Sequence, residues 1–417
     1  MSKLRIITSL DLGSSEVSVV VGQKAKTGAI EILGVGKSES YGIKKGIVTD
    51  IEHASESIIK AITEAEQMSG TSIREVVLGL NGAFLQSINS YGQVSISSLE
   101  DEIDFEDVAR AVESSKKLNL QYGNEILHVL PRTFAIDGQI GIRNPIGMSG
   151  IKLEVENHVL IGMTPIIKNV HKSLERIGVQ SVLDVVSIVA NGYYSIPSQN
   201  KELGSMIVDI GKDLTSIAIF EEGEIAHTVF IPIGSGFITQ DIVIGLKISY
   251  NDAEKIKIRY GNADPSTMAD DETFSLSEIN PYEDRIISKK YLAQIINARV
   301  REIFNFVLKA IRNSQKEYIL PAGIILTGGG ANLINISQIA RKVLNSSVTI
   351  SQAKNLAGLT DQVADPKFSS NLGLINWYFD SITDFANSSV SDIPQNGRIS
   401  RPKKSSGIIG WIKGFLP

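Results

Sequence analysis

Residues 6–21 read IITSLDLGSSEVSVVV, and the same pattern returns as GSMIVDIGKDLTSIAI at residues 204–219. Each copy is a β-rich run that ends in Asp, an aliphatic residue and Gly, with a second β-rich run shortly after. The pattern predicts a β-hairpin whose tight turn contains the glycine and whose first strand carries Asp11 or Asp209 near its end. A single Asp-x-Gly sequence usually marks only a turn. Here the whole context is duplicated, which favours an internal repeat.

The similarity continues beyond the two hairpins. A third strand is predicted in each half, at residues 29–35 and 224–233, and a helix follows it. The first helix is predicted to begin near Asp50 and the second near Thr239. Two β-β-β-α units imply two α/β halves that each bury a sheet face under a helix, with the two turns facing each other. The apolar stripe of the first helix consists of Ile51, Ala54, Ile58, Ile62 and Ala65.

A third glycine element, LTGGGAN at residues 326–332, lies between an apolar run and a helical pattern at 333–344. Consecutive glycines let a backbone approach a ligand with no Cβ in the way, and they aim the helix N–H groups at it. A loose strand-to-helix turn does not explain three of them. The Walker A and Gly-x-Gly-x-x-Gly patterns are absent, so a different phosphate site is required.

The two hairpin turns can supply that site. One turn offers the backbone of Gly13 with the hydroxyls of Ser14 and Ser15, and the other offers backbone N–H groups. The residues of the second turn are Gly211, Lys212 and Asp213. Asp11 and Asp209 would repel phosphate unless a cation lay between, so they imply Mg²⁺ held through waters.

Further motifs carry a family resemblance. They are GIKKGIVTD at residues 42–50, IPIG at 231–234, ITQDI at 238–242 and AEKIK at 253–257. With the paired hairpins and the glycine turn, AEKIK resembles the phosphate and adenosine motifs of the actin, Hsp70 and sugar-kinase superfamily, and the other three stretches are more specific marks of one family within it. Within it the chain is most similar to the FtsA family of bacterial cell-division proteins. The similarity covers the whole chain and is weaker at about 84–165 and 262–288.

The resemblance implies an α/β protein with the actin-like, duplicated ribonuclease-H-type fold, binding ATP with Mg²⁺ between its halves. It also implies that Glu254 and Lys257 contact the ribose and that the loop at 328–332 covers the adenosine. The spacing of Glu254 and Lys257 alone also fits an exposed helix face. The loop residues concerned are Gly328, Gly329, Gly330 and Asn332.

The chain departs from the family pattern at two places in its second half, in the turn of the hairpin and after the third predicted strand. Lys212, Asp213 and Leu214 replace the usual small residues, and Ser235 stands where the family tends to have a second glycine. Lys212 could bind phosphate as a point charge or crowd the γ-phosphate. Hydrolysis also needs a group that orients water.

The region expected to supply that group, residues 182–190, offers only Asp184 and Ser187. We therefore expect nucleotide binding with weak or absent ATPase activity.

The distance between the hairpins implies an insertion in the first half, and the second half carries a smaller one. By resemblance, the first insert takes part in protein contacts and the second receives the C-terminal tail of FtsZ, a tubulin-like division protein. The predicted domains are a first actin-like core at 1–83, 166–203 and about 353–384, an inserted α+β subdomain at 84–165, a second actin-like core at 204–247 and 308–352, an inserted subdomain at 248–307, a flexible linker at 385–406 and an amphipathic membrane-targeting helix at 407–417.

The C-terminal residues 407–417, GIIGWIKGFLP, follow a polar linker and have the spacing of an amphipathic helix. One such tail binds membrane weakly, so stable attachment favours many tails on one assembly, in agreement with FtsA-like filaments on membranes. A helix docked on its own domain is the alternative. The predicted membrane face is Ile408, Ile409, Trp411, Ile412, Phe415 and Leu416, with Lys413 on the opposite side.

The composition of the chain disfavours several classes of function. The net charge of −5 disfavours a nucleic-acid coat, and the lack of cysteine excludes disulfides and thiol chemistry. No run of about 18 apolar residues or signal-like N-terminus is present, and the five scattered histidines do not suggest a metal cluster. Together with these exclusions, the family resemblance implies an ATP-binding cell-division protein that polymerises on the cytoplasmic side of the membrane and tethers FtsZ. The alternative is a small-molecule kinase or Hsp70-like ATPase of the same superfamily.

Overall fold

The computed structural model describes residues 5–96, 102–312 and 318–388, with side chains up to residue 381 in the last range. The predicted membrane-targeting helix at 407–417 and the predicted linker from residue 389 onward lie outside these ranges, whereas residues 385–388, predicted as the start of the linker, are the last residues of a helix. The strands of the described part are β1 Ile6–Leu12, β2 Glu16–Lys24, β3 Ile30–Glu39, β4 Ile43–Lys44, β5 Ile47–Val48, β6 Glu75–Leu80, β7 Leu85–Ser95, β8 Asn124–Ile136, β9 Gln139–Ile142, β10 Lys152–Met163, β11 Gln180–Val186, β12 Ser205–Ile210, β13 Thr215–Glu221, β14 Glu224–Ile231, β15 Thr273–Ser275, β16 Ile286–Ser288, β17 Ile324–Thr327, β18 Val348–Ile350 and β19 Leu356–Gly358. Its α-helices are α1 Ile51–Ser69, α2 Phe105–Ser115, α3 Thr164–Glu175, α4 Ser187–Ser195, α5 Ser198–Leu203, α6 Ser235–Leu246, α7 Tyr250–Tyr260, α8 Lys289–Arg312, α9 Ile336–Leu344 and α10 Ser369–Ser388.

Two sheets share one topology. The first has the order β11-β6-β1-β2-β3-β19 and the second has the order β14-β13-β12-β17-β18. In each, three consecutive strands pair antiparallel, and two later strands add in parallel beside the first strand. We call the first sheet with its helices lobe one and the second sheet with its helices lobe two. The duplication confirms the fold predicted from the repeated hairpins.

Helix α1 begins where its sequence predicts. The Asp50 carboxylate accepts a hydrogen bond from the His53 N–H at 3.1 Å, which caps the helix, and Gly70 ends it with a φ of 65°. Ala54, Ile58 and Ala65 of the predicted stripe are fully buried against the first sheet.

Helix α6 begins one turn before the predicted start at Thr239. Its first-turn N–H groups at Ser235 and Gly236 donate to the carbonyls of Gly211 and Lys212, both at 2.8 Å. The second hairpin turn thus satisfies donors that would otherwise be unpaired at a helix start. This contact joins residues distant in sequence, so local patterning could not reveal it.

Between β6 and α3 the chain forms a separate layer. Its antiparallel sheet has the order β7-β10-β8-β9, and α2 packs across it around a core of its own. The approach is close at Gly92, where an added Cβ would lie 2.0 Å from the Ala111 carbonyl oxygen. We call residues 82–163 the insert. In lobe two, the small β15–β16 ladder and α8 follow α7.

The end of the described chain returns to its beginning. Strand β19 pairs in parallel with β3, and α10 packs on α4, β1, β2 and β6. On α10 the buried Asn371 accepts a hydrogen bond from the Ser18 Oγ at 2.8 Å and donates to the Ser9 Oγ at 3.3 Å. Lobe one therefore contains both early and late segments. No helix in the described ranges has the length and apolar character required to cross a membrane.

Candidate functional site

The two repeated turns face each other across the cleft between the lobes. Asp11 is opposite Ser18 in the first hairpin, and Asp209 is opposite Ser216 in the second, so the aspartates occupy equivalent positions. Each turn is tight at its glycine. A Cβ on Gly13 would lie 2.6 Å from the Glu16 carbonyl oxygen, and the Gly211 N–H donates to the Leu214 carbonyl.

A cavity of about 500 Å³ lies between these turns, within the size range of small-molecule sites. Every residue predicted from sequence to bind nucleotide lines this cavity. They are Asp11, Gly13, Ser14, Ser15, Asp209, Gly211, Lys212, Asp213, Glu254, Lys257, Gly328, Gly329, Gly330 and Asn332.

The two aspartates carry the main electrostatic feature of the cavity. Burial raises the pKa of Asp11 to about 6, opposed by a hydrogen bond from the Ser187 Oγ at 3.1 Å. Burial, and then the Asp11 charge, raise the pKa of Asp209 to about 7. The carboxylates are therefore close enough to repel one another, and a cation between them would relieve this repulsion.

Glu254 and Lys257 lie on the cavity side of α7. The Lys257 Nζ is 2.8 Å from the Glu254 Oε2 and 2.9 Å from the Thr239 Oγ1, and Thr239 also donates to Glu254. The side chain of Lys257 is only 11% exposed. This network, rather than a solvated helix face, accounts for the spacing of the pair. Across the cavity, the Asn332 amide donates to Asp365 at 2.9 Å.

The residues that depart from the family pattern have structural partners. The Lys212 Nζ lies 5.6 Å from the centre of the Tyr250 ring, and the Lys212 carbonyl accepts from α6. The Asp213 Oδ2 accepts from the backbone N–H of Lys45, at 3.4 Å. Ser235 provides the first amide of α6. Lys212 thus lines the cavity with its ammonium group positioned over an aromatic ring.

The two candidates for orienting water differ in position. Ser187 donates to Asp11 beside the cavity. Asp184 does not line the cavity, because its carboxylate is bonded to His171 at 2.8 Å and to Ser181 at 2.6 Å. Ser187 is itself buried and does not line the cavity either, so of the two candidates Ser187 alone contacts a cavity residue, and neither faces the cavity.

The His171–Asp184 pair joins α3 to β11 and gives a pH-dependent prediction. The hydrogen bond to Asp184 raises the pKa of His171 above 6.5 in the folded state. The pair between protonated His171 and Asp184 therefore stabilises the folded state in full below pH 6.5, and this stabilisation is lost as pH rises through the folded-state pKa of His171. Replacing His171 by Gln should lower the free energy of unfolding by about 0.5 kcal/mol at pH 6 and by less at pH 8.5, since the pair is partly solvated. Urea unfolding at both pH values measures this, and an equal loss at both would contradict it.

Sequence reasoning missed several cavity residues. Asn81 follows β6, which pairs in parallel with β1, so the carboxyl ends of both strands meet at the cavity. The position of Asn81 directly after a β-rich run could have marked it as a candidate, but only the order of strands in the sheet shows that this run ends at the cavity. Lys367 pairs with Glu16 at 2.9 Å and comes from a distant segment with no local motif. The missed residues include Gly46, Asn81, Asp365, Lys367 and Ser370.

Sequence comparison places these features in a family. Residues 206–373 match the family model described as cell division protein FtsA, and residues 82–161 match the SHS2 domain inserted in FtsA. The FtsA of Pseudomonas aeruginosa is 33% identical over 98% of both chains. The FtsA of Escherichia coli K12 is 31% identical over 98% of this chain and 96% of the relative. The FtsA of Bacillus subtilis is 34% identical over 90% and 84%.

Solved structures share the fold at lower sequence identity. The PilM–PilN type IV pilus biogenesis complex matches with a TM-score of 0.65 and 16% identity, covering 88% of this chain and 97% of that chain. MreB 5 of Spiroplasma citri bound to AMPPNP matches with a TM-score of 0.53 and 13% identity, covering 93% and 100%.

Duplicated α/β lobes that close on one cavity, with a subdomain inserted in the first, define an actin-like protein. The sequence identity then fixes the branch of that class. The chain belongs to the FtsA family of cell division proteins, which confirms the resemblance found from its motifs.

Proposed function

We propose that this protein binds ATP with Mg²⁺ between its lobes, polymerises on the inner face of the cytoplasmic membrane, and tethers an FtsZ-like tubulin homologue there. The observation that carries the proposal is the convergence of both aspartate turns and the glycine turn on one cavity. Turns from both lobes can then hold one ligand, which favours lobe closure when it binds.

The chemistry of the cavity suits a nucleoside polyphosphate. Backbone N–H groups and serine hydroxyls of the two turns, with Lys212, provide donors and positive charge for phosphate oxygens. Glu254 and Lys257 line the cavity and would meet the ribose, and the glycine turn would offer backbone for the base to lie against. MreB 5 of Spiroplasma citri, a structure of the same fold, was solved with AMPPNP bound.

The donor set also fits Mg²⁺. Asp11 and Asp209 offer hard carboxylate oxygens from opposite lobes that can hold Mg²⁺ through waters, and the described residues contain no group of three or more His, Cys, Asp or Glu side chains placed to hold a metal alone. Mg²⁺ would complete its coordination with waters and phosphate oxygens, as it prefers to do. Bound there, it would neutralise charge between carboxylates and phosphate. Neither of the two sequence candidates for ordering water, Asp184 and Ser187, lines the cavity, which supports weak or absent hydrolysis.

Membrane attachment rests on the sequence of residues 407–417. A weak amphipathic anchor requires several copies on one assembly for stable binding. Nucleotide-dependent polymerisation would provide these copies. Membership of the FtsA family supports the proposal that such an assembly acts at the division site with FtsZ as its partner.

Sedimentation with ATP and Mg²⁺, with and without anionic liposomes, tests the proposal. We expect ATP-dependent pelleting that increases with liposomes and with added FtsZ. Nucleotide binding measured on the same samples separates the two halves of the proposal. A monomer that stays in the supernatant throughout would contradict polymerisation, while substrate-dependent ATP consumption would favour the kinase alternative.

Placing charge on the predicted membrane face should release the protein from liposomes. Replacing Trp411 and Phe415 by Glu removes two aromatic anchors and is expected to reduce liposome pelleting at least about tenfold. Replacing Ser405 and Ser406 by Glu adds the same charge to the linker and provides the control. Unchanged pelleting of the Trp411 and Phe415 variant would rule out the tail as the anchor.

A further inference from the structure

Several hydrogen bonds join the lobes beside the cavity, and two of them involve the end of β6 and the β4–β5 hairpin. The Ser216 Oγ of lobe two donates to the Asn81 Oδ1 of lobe one at 2.8 Å. The backbone N–H of Lys45 in lobe one reaches the Asp213 Oδ2 in lobe two at 3.4 Å. Ser216 lies opposite Asp209 in its hairpin, so the first link adjoins the paired aspartates. We call the Asn81–Ser216 hydrogen bond the clasp.

The β4–β5 hairpin packs against the backbone of Asn81, whose side chain accepts the hydrogen bond of the clasp. Its two-residue loop, Lys45 and Gly46, has φ values of 52° and 75°, the conformation of the tightest hairpin turns. A Cβ on Gly46 would lie 1.7 Å from the Asn81 carbonyl oxygen. The hairpin tip therefore rests directly on the backbone of Asn81 and has no room to yield.

The insert begins at residue 82, directly after Asn81. The Ala83 N–H donates to the Lys45 carbonyl at 3.3 Å, and the first strand of the insert begins at Leu85. Farther along the chain, the insert contacts lobe two at Thr228. The Ser87 Oγ donates a hydrogen bond to the Thr228 carbonyl oxygen at 2.9 Å, and the His158 Nε2 lies 3.0 Å from the Thr228 Oγ1. The insert thus leaves lobe one at the clasp and is supported by lobe two.

We propose that Asn81 is a positioning residue that couples closure of the lobes on nucleotide to the orientation of the insert. A separation of the lobes by about 1 Å at this point would break the clasp, because the hydrogen bond would exceed its normal length. A ligand held by turns from both lobes favours the closed state. Closure then fixes Asn81, and through it the hairpin tip and the Ala83 amide. This inference rests on the proposed nucleotide binding.

The test uses Ser216→Ala in the full-length protein. Ser216 is buried and does not line the cavity, so the variant removes the clasp donor and leaves the cavity walls as they are. Hydrogen–deuterium exchange is measured over residues 81–85 with and without AMPPNP and Mg²⁺. In the unaltered protein, we expect nucleotide to slow exchange in this segment. In Ser216→Ala the slowing should be lost, while nucleotide affinity falls only about fivefold, the loss typical of one hydrogen bond.

Two further variants complete the experiment. Thr63→Ala removes a hydroxyl that bonds only within α1 in lobe one, and it should leave the nucleotide-dependent slowing intact. Asn81→Ala combined with Ser216→Ala should add nothing to the loss of protection caused by either alone. Nucleotide-induced slowing in Ser216→Ala equal to that of the unaltered protein would overturn the coupling alone. Failure of the unaltered protein to bind AMPPNP would overturn the proposed function and the coupling with it.

Discussion

Replacing Gly328 by Ala should abolish nucleotide binding and destabilise the protein. Gly328 has a φ of 79°, and a Cβ there would lie 2.3 Å from the Asp209 Oδ1 and 2.8 Å from the Ile210 carbonyl oxygen. The left-handed backbone and the collision together should lower the free energy of unfolding by about 3 kcal/mol. Because Asp209 must move, we also expect nucleotide affinity to fall at least about 100-fold.

The neighbouring glycines provide matched comparisons. Gly330→Ala should resemble Gly328→Ala, since its Cβ would lie 2.5 Å from the Ile210 side chain. At Gly329 an added Cβ meets no atom within 4 Å, so the free energy of unfolding should change by less than about 0.5 kcal/mol. Its methyl group would project into the space assigned to nucleotide and should weaken binding without loss of stability. Urea unfolding and titration with a fluorescent ATP analogue measure both effects, and wild-type stability in Gly328→Ala would disprove the steric argument.

Replacing Asp209 by Asn should stabilise the empty protein and eliminate its response to Mg²⁺. At pH 8 both cavity aspartates are ionised, because their pKa values are about 6 and about 7. Removing one buried charge relieves desolvation and repulsion, so the free energy of unfolding without divalent cation should rise by about 2 kcal/mol. The same change removes one of the two carboxylates proposed to hold Mg²⁺ through waters and should reduce affinity for Mg²⁺–ATP at least about 100-fold.

Opposite signs for stability and binding distinguish this effect from general damage. Asp361→Asn makes the same chemical change at an exposed position outside the cavity and serves as the control. Unfolding at pH 8 in EDTA gives the stability, and titration of the ATP analogue with and without Mg²⁺ gives the affinity. A less stable Asp209→Asn variant, or one that retains its Mg²⁺ response, would refute the role assigned to Asp209.

Much of the cavity could be predicted because its parts are short and locally encoded. The paired hairpins and the glycine turn each depend on a few consecutive residues, and Asp50 marks a helix start by its own side chain. The duplication of the hairpin then indicated that Asp11 and Asp209 occupy equivalent positions in the two halves, which a single turn cannot show. That relation brought both halves of the site together without knowledge of the strand order.

The remaining residues depend on contacts between distant segments. Asn81 can be assigned to the cavity only when β6 is known to lie beside β1, and Lys367 only when the late chain is known to reach Glu16. The true start of α6 likewise depends on carbonyls of Gly211 and Lys212. Asp184 was a reasonable candidate by type, but its bond to His171 directs it away from the cavity.

The position of Asn371 has a consequence for biosynthesis. Its amide joins the last helix to the first hairpin through Ser9 and Ser18, whereas the second sheet is complete by β18. During translation, lobe two can therefore assemble from a continuous stretch, while the first hairpin must wait for residues near the end of the chain. The cavity matures last, so a ribosome-bound or prematurely terminated chain would lack a competent first turn.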